Sequence, residues 1–239
     1  MAEACEQLRK ELSATESAKL RSHTLDITDA KTCAALAQFL KKEHGGLDVL
    51  VNNAGIAFKN DDSTPFPEQA RVTNMTNYFG LHNICDALFP LLRANGRVVN
   101  VQSQAGVMKT GYSDEHVKLM KSPTLTIAQI DAFVNKFIEH AAVGDHVAAG
   151  YRNSAYCVSK AAGIALSAVQ QRAFDGDKAR SGILVNACCP GYVDTDMTSH
   201  KGPLTVDQGA DTPVWLATLP SDATSPAGQF CFERAVFEW

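Results

Sequence analysis

Residues 47–52, with Asp48-Val49-Leu50-Val51-Asn52 at their heart, form a β-branched apolar run with little alternation, which stops abruptly at Asn53-Ala54-Gly55. A strand with one wet face alternates polar and apolar residues. One that does not is covered on both faces, the condition met by a sheet sandwiched between helices. The flanking sequence supplies the helices. Residues 21–27, RSHTLDI, predict a short strand, and Thr28 is placed to cap a helix in which Cys33, Leu36, Ala37 and Leu40 recur at helical spacing. Gly45 and Gly46 end that helix. A long helical stretch over 68–93 leads through Asn95-Gly96 into a strand at 97–102. Beyond an irregular or helical segment at 104–151, a helix over 156–174 precedes a strand at 183–188 that ends in Pro190-Gly191. A helix near 206–218 and a strand near 228–233 complete the order. Strand followed by helix throughout predicts an α/β fold with a doubly wound parallel sheet. Without internal repeats or low-complexity linkers, residues 1–239 read as a single domain.

Composition narrows the class of ligand. With 45% apolar and 20% charged residues, 239 residues suffice for one well-buried core. A net charge of −4 and a pI near 6.0 leave no basic footprint for nucleic acid or an anionic membrane, and a small-molecule ligand remains open. No run approaches the roughly 20 apolar residues of a membrane span, and the opening ten residues are too polar for a secretory signal, which predicts a cytoplasmic protein. The seven cysteines (5, 33, 85, 157, 188, 189 and 231) show no paired spacing, and neither they nor the seven histidines frame a metal site. Most of these cysteines read as core residues; Cys157 and Cys189 differ in flanking the motifs described next.

In open parallel sheets, ligands bind beyond the carboxyl ends of the strands. The residues ending the predicted strands are Asp26, then Asn53-Ala54-Gly55, then Ser103, then Pro190-Gly191-Tyr192. Tyr156 and Lys160 follow on one helix face, a single turn apart. A free phenol has a pKa of about 10, and a nearby ammonium lowers it by favouring phenolate. Tyr156 can then exchange a proton with a carbonyl or alcohol oxygen, a contribution typically worth about 100- to 10,000-fold in rate. A serine hydroxyl at a neighbouring strand end can hold the same oxygen. Alone, the Tyr156 and Lys160 spacing is common. In order, however, VNNAG at 51–55, Asn77, Ser103, YCVSK at 156–160 and PGYVDT at 190–195 make a specific constellation.

On these motifs the sequence resembles the short-chain dehydrogenase/reductase family, and within it the cytosolic carbonyl reductases that reduce aldehydes, ketones and quinones with NADPH. The resemblance runs from about Glu6 to Trp239 and implies a Rossmann-like fold. It implies that Tyr156 is the acid/base, that Lys160 lowers its pKa and holds the nicotinamide ribose, and that Ser103 positions the carbonyl. Asn77 would support a water relay to Lys160. Asp26 and Ile27 would meet the adenine, Asn53 the adjacent ribose, and Val193, Asp194 and Thr195 the nicotinamide side. Phe58, Lys59 and Gln69 match substrate-contacting positions, and Cys157 would border the pocket. The long connection from Ser103 to Tyr156, including Met120 to His140, resembles the inserted helices of monomeric carbonyl reductases, where they cover the surface that tetrameric relatives use for assembly; a monomer is therefore expected. An NAD-dependent alcohol dehydrogenase of the same family fits that connection less well.

Two departures stand out: Gln102 replaces a frequent serine, and Asp194 replaces a common basic residue. None of the 16 glycines forms the glycine-rich turn between strand and helix that binds a cofactor pyrophosphate. The resemblance thus implies a domain incomplete at its N-terminus, lacking the first βαβ portion and the residue that selects NADPH over NADH. Its absent central strand would lie between residues 21–27 and 47–52, and losing about five buried residues would forfeit something near 10 kcal/mol. The alternative to an enzyme is therefore a truncated non-catalytic form with impaired cofactor binding. Residues 21–27 would then have to pair directly with 47–52 or leave an edge open.

Overall fold

The computed structural model describes residues 2–59 and 61–239. Helices α1 (Ala2–Glu11) and α2 (Ala14–Ser17) lead into α3 (Ala30–His44) and strand β1 (Leu47–Asn52). Helix α4 (Phe66–Asn74) passes through a π-turn (Met75–Gly80) into α5 (Leu81–Leu88), and a 3₁₀ turn opens into β2 (Leu92–Val101). Helices α6 (Asp114–Met120) and α7 (Ile127–Val143) precede the long α8 (Ala155–Asp175) and β3 (Leu184–Cys188). Helix α9 (Val206–Ala217) and strands β4 (Phe230–Phe232) and β5 (Ala235–Val236) complete the chain. The sheet order is β1-β2-β3-β4-β5, parallel except for β5, which returns antiparallel on β4.

Register explains the unbroken apolar runs. Leu50, Val98 and Val185 are aligned across three strands and pack with Cys33, Ile84, Leu88 and Phe174 beneath α3, α5 and α8. Val99, Cys188 and Cys231 project to the opposite face and meet Leu216 of α9. The central strands are thus buried on both sides, as their sequences require. Helix α8 is almost wholly buried because α4 and α7 pack on the side away from the sheet. At the lower end of the sheet, buried Arg97 donates to the carbonyls of Asn95, Gly96, Gly182, Leu219 and Pro220, fastening two loops.

Several boundaries differ from expectation. Residues 21–26 form no strand, and they do not pair with β1. Ile27 nevertheless reaches the core beneath Gly80. The cap of α3 is Asp29, whose carboxylate accepts from the Lys31 N–H; Thr28 instead donates to Asp26. The helix expected over 68–93 is broken into four segments, α, π, α and 3₁₀ in turn, and residues 92 and 93 already belong to β2. The last parallel strand is short, with β5 as an addition no alternation signalled. Among the described residues, nothing pairs with the outer edge of β1. On its α9-side face, Val49 and Val51 are 41% and 45% exposed although their neighbour Val99 is fully buried.

Candidate active site

The upper ends of β1 and β2 and the first turns of α8 bring four predicted residues together. Ser154 caps α8 by accepting from the Cys157 N–H at 3.2 Å, which places Tyr156 in the first turn and Lys160 one turn below. The Lys160 ammonium lies 5.5 Å from the centre of the Tyr156 ring and donates to the Val101 carbonyl, at the end of β2, at 3.0 Å. Its remaining two N–H groups make no hydrogen bond among the described residues. Ser103 follows directly. Its Oγ accepts from the Ala105 N–H at 3.1 Å, so its own hydrogen remains free to donate. A short 3₁₀ turn (Gln104–Gly106) presses Ser103 towards α8, with Gly106 against the Lys160 backbone.

Asn77 occupies the π-turn, where the widened backbone directs its amide beneath the end of β1. Its Oδ1 accepts from the Ile56 N–H at 2.8 Å, while Nδ2 donates to the Ile56 carbonyl at 2.9 Å and to Ser159 Oγ at 3.1 Å. The loop after β1 is thereby tied to α8. Gly55 sits at their junction, where a Cβ would lie 3.1 Å from Asn77 Oδ1 and 3.7 Å from Lys160 Nζ.

Burial dominates the electrostatics. It pushes the Tyr156 phenol above its ordinary pKa, with the facing Ser103 hydroxyl pulling partly back. Burial also brings Lys160 down to about 8, opposed by the Cys189 and Cys188 thiols nearby. In this geometry the ammonium faces the ring rather than the hydroxyl, and desolvation outweighs the expected lowering of the phenol. The phenol is therefore protonated at neutral pH.

The remaining candidates are distributed around this centre. Cys157 is buried beside Tyr156; Cys189 is also buried, and its sulfur accepts from the Gly191 N–H at 3.3 Å. Asn53 is exposed at the end of β1. Asp26 is exposed, its Oδ1 held by Thr28, which lowers its pKa; the Ile27 side chain is buried, leaving its backbone as the available contact. Val193 is buried against Gly202 and Gly209, whereas Asp194 is exposed and Thr195 half-buried. Phe58 is half-buried and Lys59 exposed, and Gln69 donates to the Thr64 carbonyl at 2.8 Å; no described hydrogen bond joins these three to Ser103 or Tyr156. Gln102 folds over Gly163, where a Cβ would lie within 2.4 Å of its Oε1, so the glycine accommodates the larger side chain.

Ser159, the Val101 carbonyl and Gly106 are supporting groups that the sequence reading missed. Ser159 lies within the YCVSK motif and was open to recognition. Gly106 carried no signal, because its role is set by contact with α8. The hydroxyl of Tyr112 was also missed: it is buried without a hydrogen-bond partner, and burial raises its pKa.

The profile of the short chain dehydrogenase family matches residues 1–113 and 144–203, passing over the segment that contains α6 and α7. Carbonyl reductase (NADPH) 1 of Sus scrofa is 47% identical over 92% of this chain and 76% of its own length; its Homo sapiens counterpart is 46% identical over 92% and 79%. The structure of salutaridine reductase from Papaver somniferum superimposes with a TM-score of 0.83 at 28% identity, covering 96% of this chain and 86% of that one. Ordered motifs, a parallel sheet with the candidate site at its carboxyl edge, and a match over most of the sequence together establish that the chain belongs to the short-chain dehydrogenase family.

Proposed function

We propose that this chain is an oxidoreductase that reduces carbonyl compounds (aldehydes, ketones and quinones) to alcohols with NADPH. The observation that carries this reading is the convergence of Ser103, Tyr156 and Lys160, backed by Asn77, at the carboxyl ends of β1 and β2. A phenol protonated at neutral pH suits an acid that gives its proton to an oxygen becoming an alkoxide. The free Ser103 O–H can hold that oxygen by hydrogen bond as its negative charge develops. Asn77 keeps the loop after β1 in place, with a second Oδ1 lone pair for a water on the way to Lys160.

NADPH, when bound, supplies the hydride. The residues fit its nicotinamide half: Lys160 offers two unspent donors to ribose hydroxyls, Val193 to Thr195 border the nicotinamide, and Gly55 leaves the space that a side chain would fill. Asn53 is the contact for the second ribose, and Asp26 with the Ile27 backbone for the adenine. No described residue is assigned to the pyrophosphate. Phe58, Lys59, Gln69 and Cys157 border the substrate side. The packing of α7 across α4 and α8 supports a monomer. The resemblance to cytosolic carbonyl reductases supports a cytoplasmic location; among the described helices none is long and apolar enough to cross a membrane.

A non-catalytic role is the second reading, favoured by the unpaired outer edge of β1 and the exposure of Val49 and Val51. One titration separates the two. Adding NADPH to the purified chain while following nucleotide fluorescence and thermal unfolding should reveal micromolar binding, with quinone turnover abolished by Tyr156→Phe. A folded chain that binds no NADPH would leave the non-catalytic reading.

A further inference from the structure

The turn carrying Val193–Thr195 is built around a histidine that the reaction does not use. His200 Nδ1 lies 2.7 Å from Asp194 Oδ1, and Nε2 lies 3.0 Å from Asp196 Oδ1. Carboxylates only accept, so an imidazole bonded through both nitrogens must carry both protons. Ser199, which ends the short 3₁₀ turn at Asp196–Thr198, and His200 have φ of 53° and 57°, a left-handed pair disfavoured for residues with a Cβ. The rest of the turn closes on Val193. Thr198 Oγ1 donates to the Val193 carbonyl at 2.6 Å, the His200 N–H to Thr195 at 3.0 Å, and the Asp194 N–H to Leu204 at 2.8 Å. Gly202 and Gly209 permit this closure, since a Cβ at either would strike Val193.

We propose that His200 is a positioning residue for this turn: its imidazolium holds Val193–Thr195 in place and neutralises Asp194, so that the turn's hold on an anionic nucleotide weakens as pH rises. This rests on the NADPH reading and adds a pH dependence to the same site. Asp194 presents a negative charge beside the turn, and His200 neutralises it from six residues further on.

The groups acting on the imidazole are Asp194 and Asp196, whose hydrogen bonds raise its pKa against slight desolvation. Helix α9, which meets Val193 through Gly209, contributes Asp207 and Asp211. Asp211 is paired with Arg234, and neither of these two acids contributes to the shift at His200. Lys201 is the adjoining residue in the chain. Because the folded pKa is raised, the charge is fully present below the ordinary value of about 6.5 and is lost as pH climbs through the raised one. A neutral ring then turns a lone pair towards one carboxylate, and that contact opens.

The test compares NADPH dissociation constants from pH 6 to pH 9 for the wild type, His200→Gln and His200→Arg. The ratio to His200→Gln cancels the titration of Lys160 and of the nucleotide. Wild type should bind about threefold tighter than His200→Gln at pH 6, the scale of an exposed ion pair, and equally at pH 9. His200→Arg should keep the tighter binding throughout. In parallel, the His200 imidazole is titrated by NMR without nucleotide; its midpoint should lie above 6.5 and fall in Asp194→Asn. A ratio constant across pH, or a midpoint at or below the ordinary value, overturns the proposal. If no nucleotide binds at any pH, the NADPH reading and the dependent claim fail together, while the NMR titration still decides whether the imidazolium bridge exists.

Discussion

Gly106→Ala tests whether the approach of the Ser103 turn to α8 sets the geometry of the reaction. A Cβ at Gly106 would lie 2.6 Å from the Lys160 carbonyl carbon and 2.7 Å from the Ala161 nitrogen, both backbone atoms of a buried helix. Neither can move aside locally. Reaching 3.4 Å, where ordinary contact begins, requires the turn to retreat by 0.8 Å. The Gly106 N–H donates to the Ser103 carbonyl at 2.9 Å, so Ser103 retreats with it and draws away from Tyr156. Misplacing a reacting group by about 1 Å can cost roughly 100-fold in rate, so kcat should fall about 30- to 100-fold. The overpacking itself should cost about 1–3 kcal/mol of stability. Quinone reduction at saturating NADPH measures the first effect and urea unfolding the second. Ser103→Ala, which removes the donor together with the Oγ that accepts from the Ala105 N–H, should lose about 100-fold or more and serves as the reference. A folded Gly106→Ala chain with kcat within threefold of wild type would refute the reasoning, because the turn would then be free to shift without consequence.

Four further substitutions probe the framework. Lys160 is depressed from 10.5 to about 8 by burial, so the folded chain binds fewer protons than the unfolded one between those values and stability rises with pH across that window. Relative to Lys160→Met, the wild type should gain about 3 kcal/mol from pH 8 to 10.5 and stay level below 8; parallel pH profiles in urea unfolding would contradict this. Tyr78→Phe removes the 2.7 Å hydrogen bond to Asp131 that ties the π-turn to α7, and it should cost about 1–2 kcal/mol by urea midpoint. Val51→Thr and Val99→Thr place one hydroxyl at register-paired positions, 45% exposed and fully buried respectively. The first should change stability by less than about 0.5 kcal/mol and the second should destabilise by about 1–3 kcal/mol; equal costs would show that the outer face of β1 is covered.

The candidate site was legible where chemistry is local. Tyr156 and Lys160 share a helix face by spacing alone, and Ser103 and Asn53 were found because they end apolar runs that could only be buried strands. Asn77 was identified through resemblance, and its three hydrogen bonds to Ile56 and Ser159 emerged only when α8 was packed against the loop after β1. The π-turn that aims it was invisible, because a single inserted backbone step leaves the apolar periodicity almost unchanged. Residues 21–27 read as a strand through local preference. They are not one here, because strand formation requires a partner edge and nothing local supplies it.

Order and composition were thus enough to determine a parallel α/β sheet and to put the candidate site at its carboxyl edge, since burial on both faces and right-handed connections leave few other arrangements. The tertiary structure decided the electrostatics. Whether the Lys160 ammonium meets the Tyr156 hydroxyl or its ring, how far desolvation moves each pKa, and that His200 reaches two carboxylates all depend on distances and solvent exposure between segments. Sequence spacing fixes which residues can share a face; only packing fixes the dielectric around them and the atoms they finally touch.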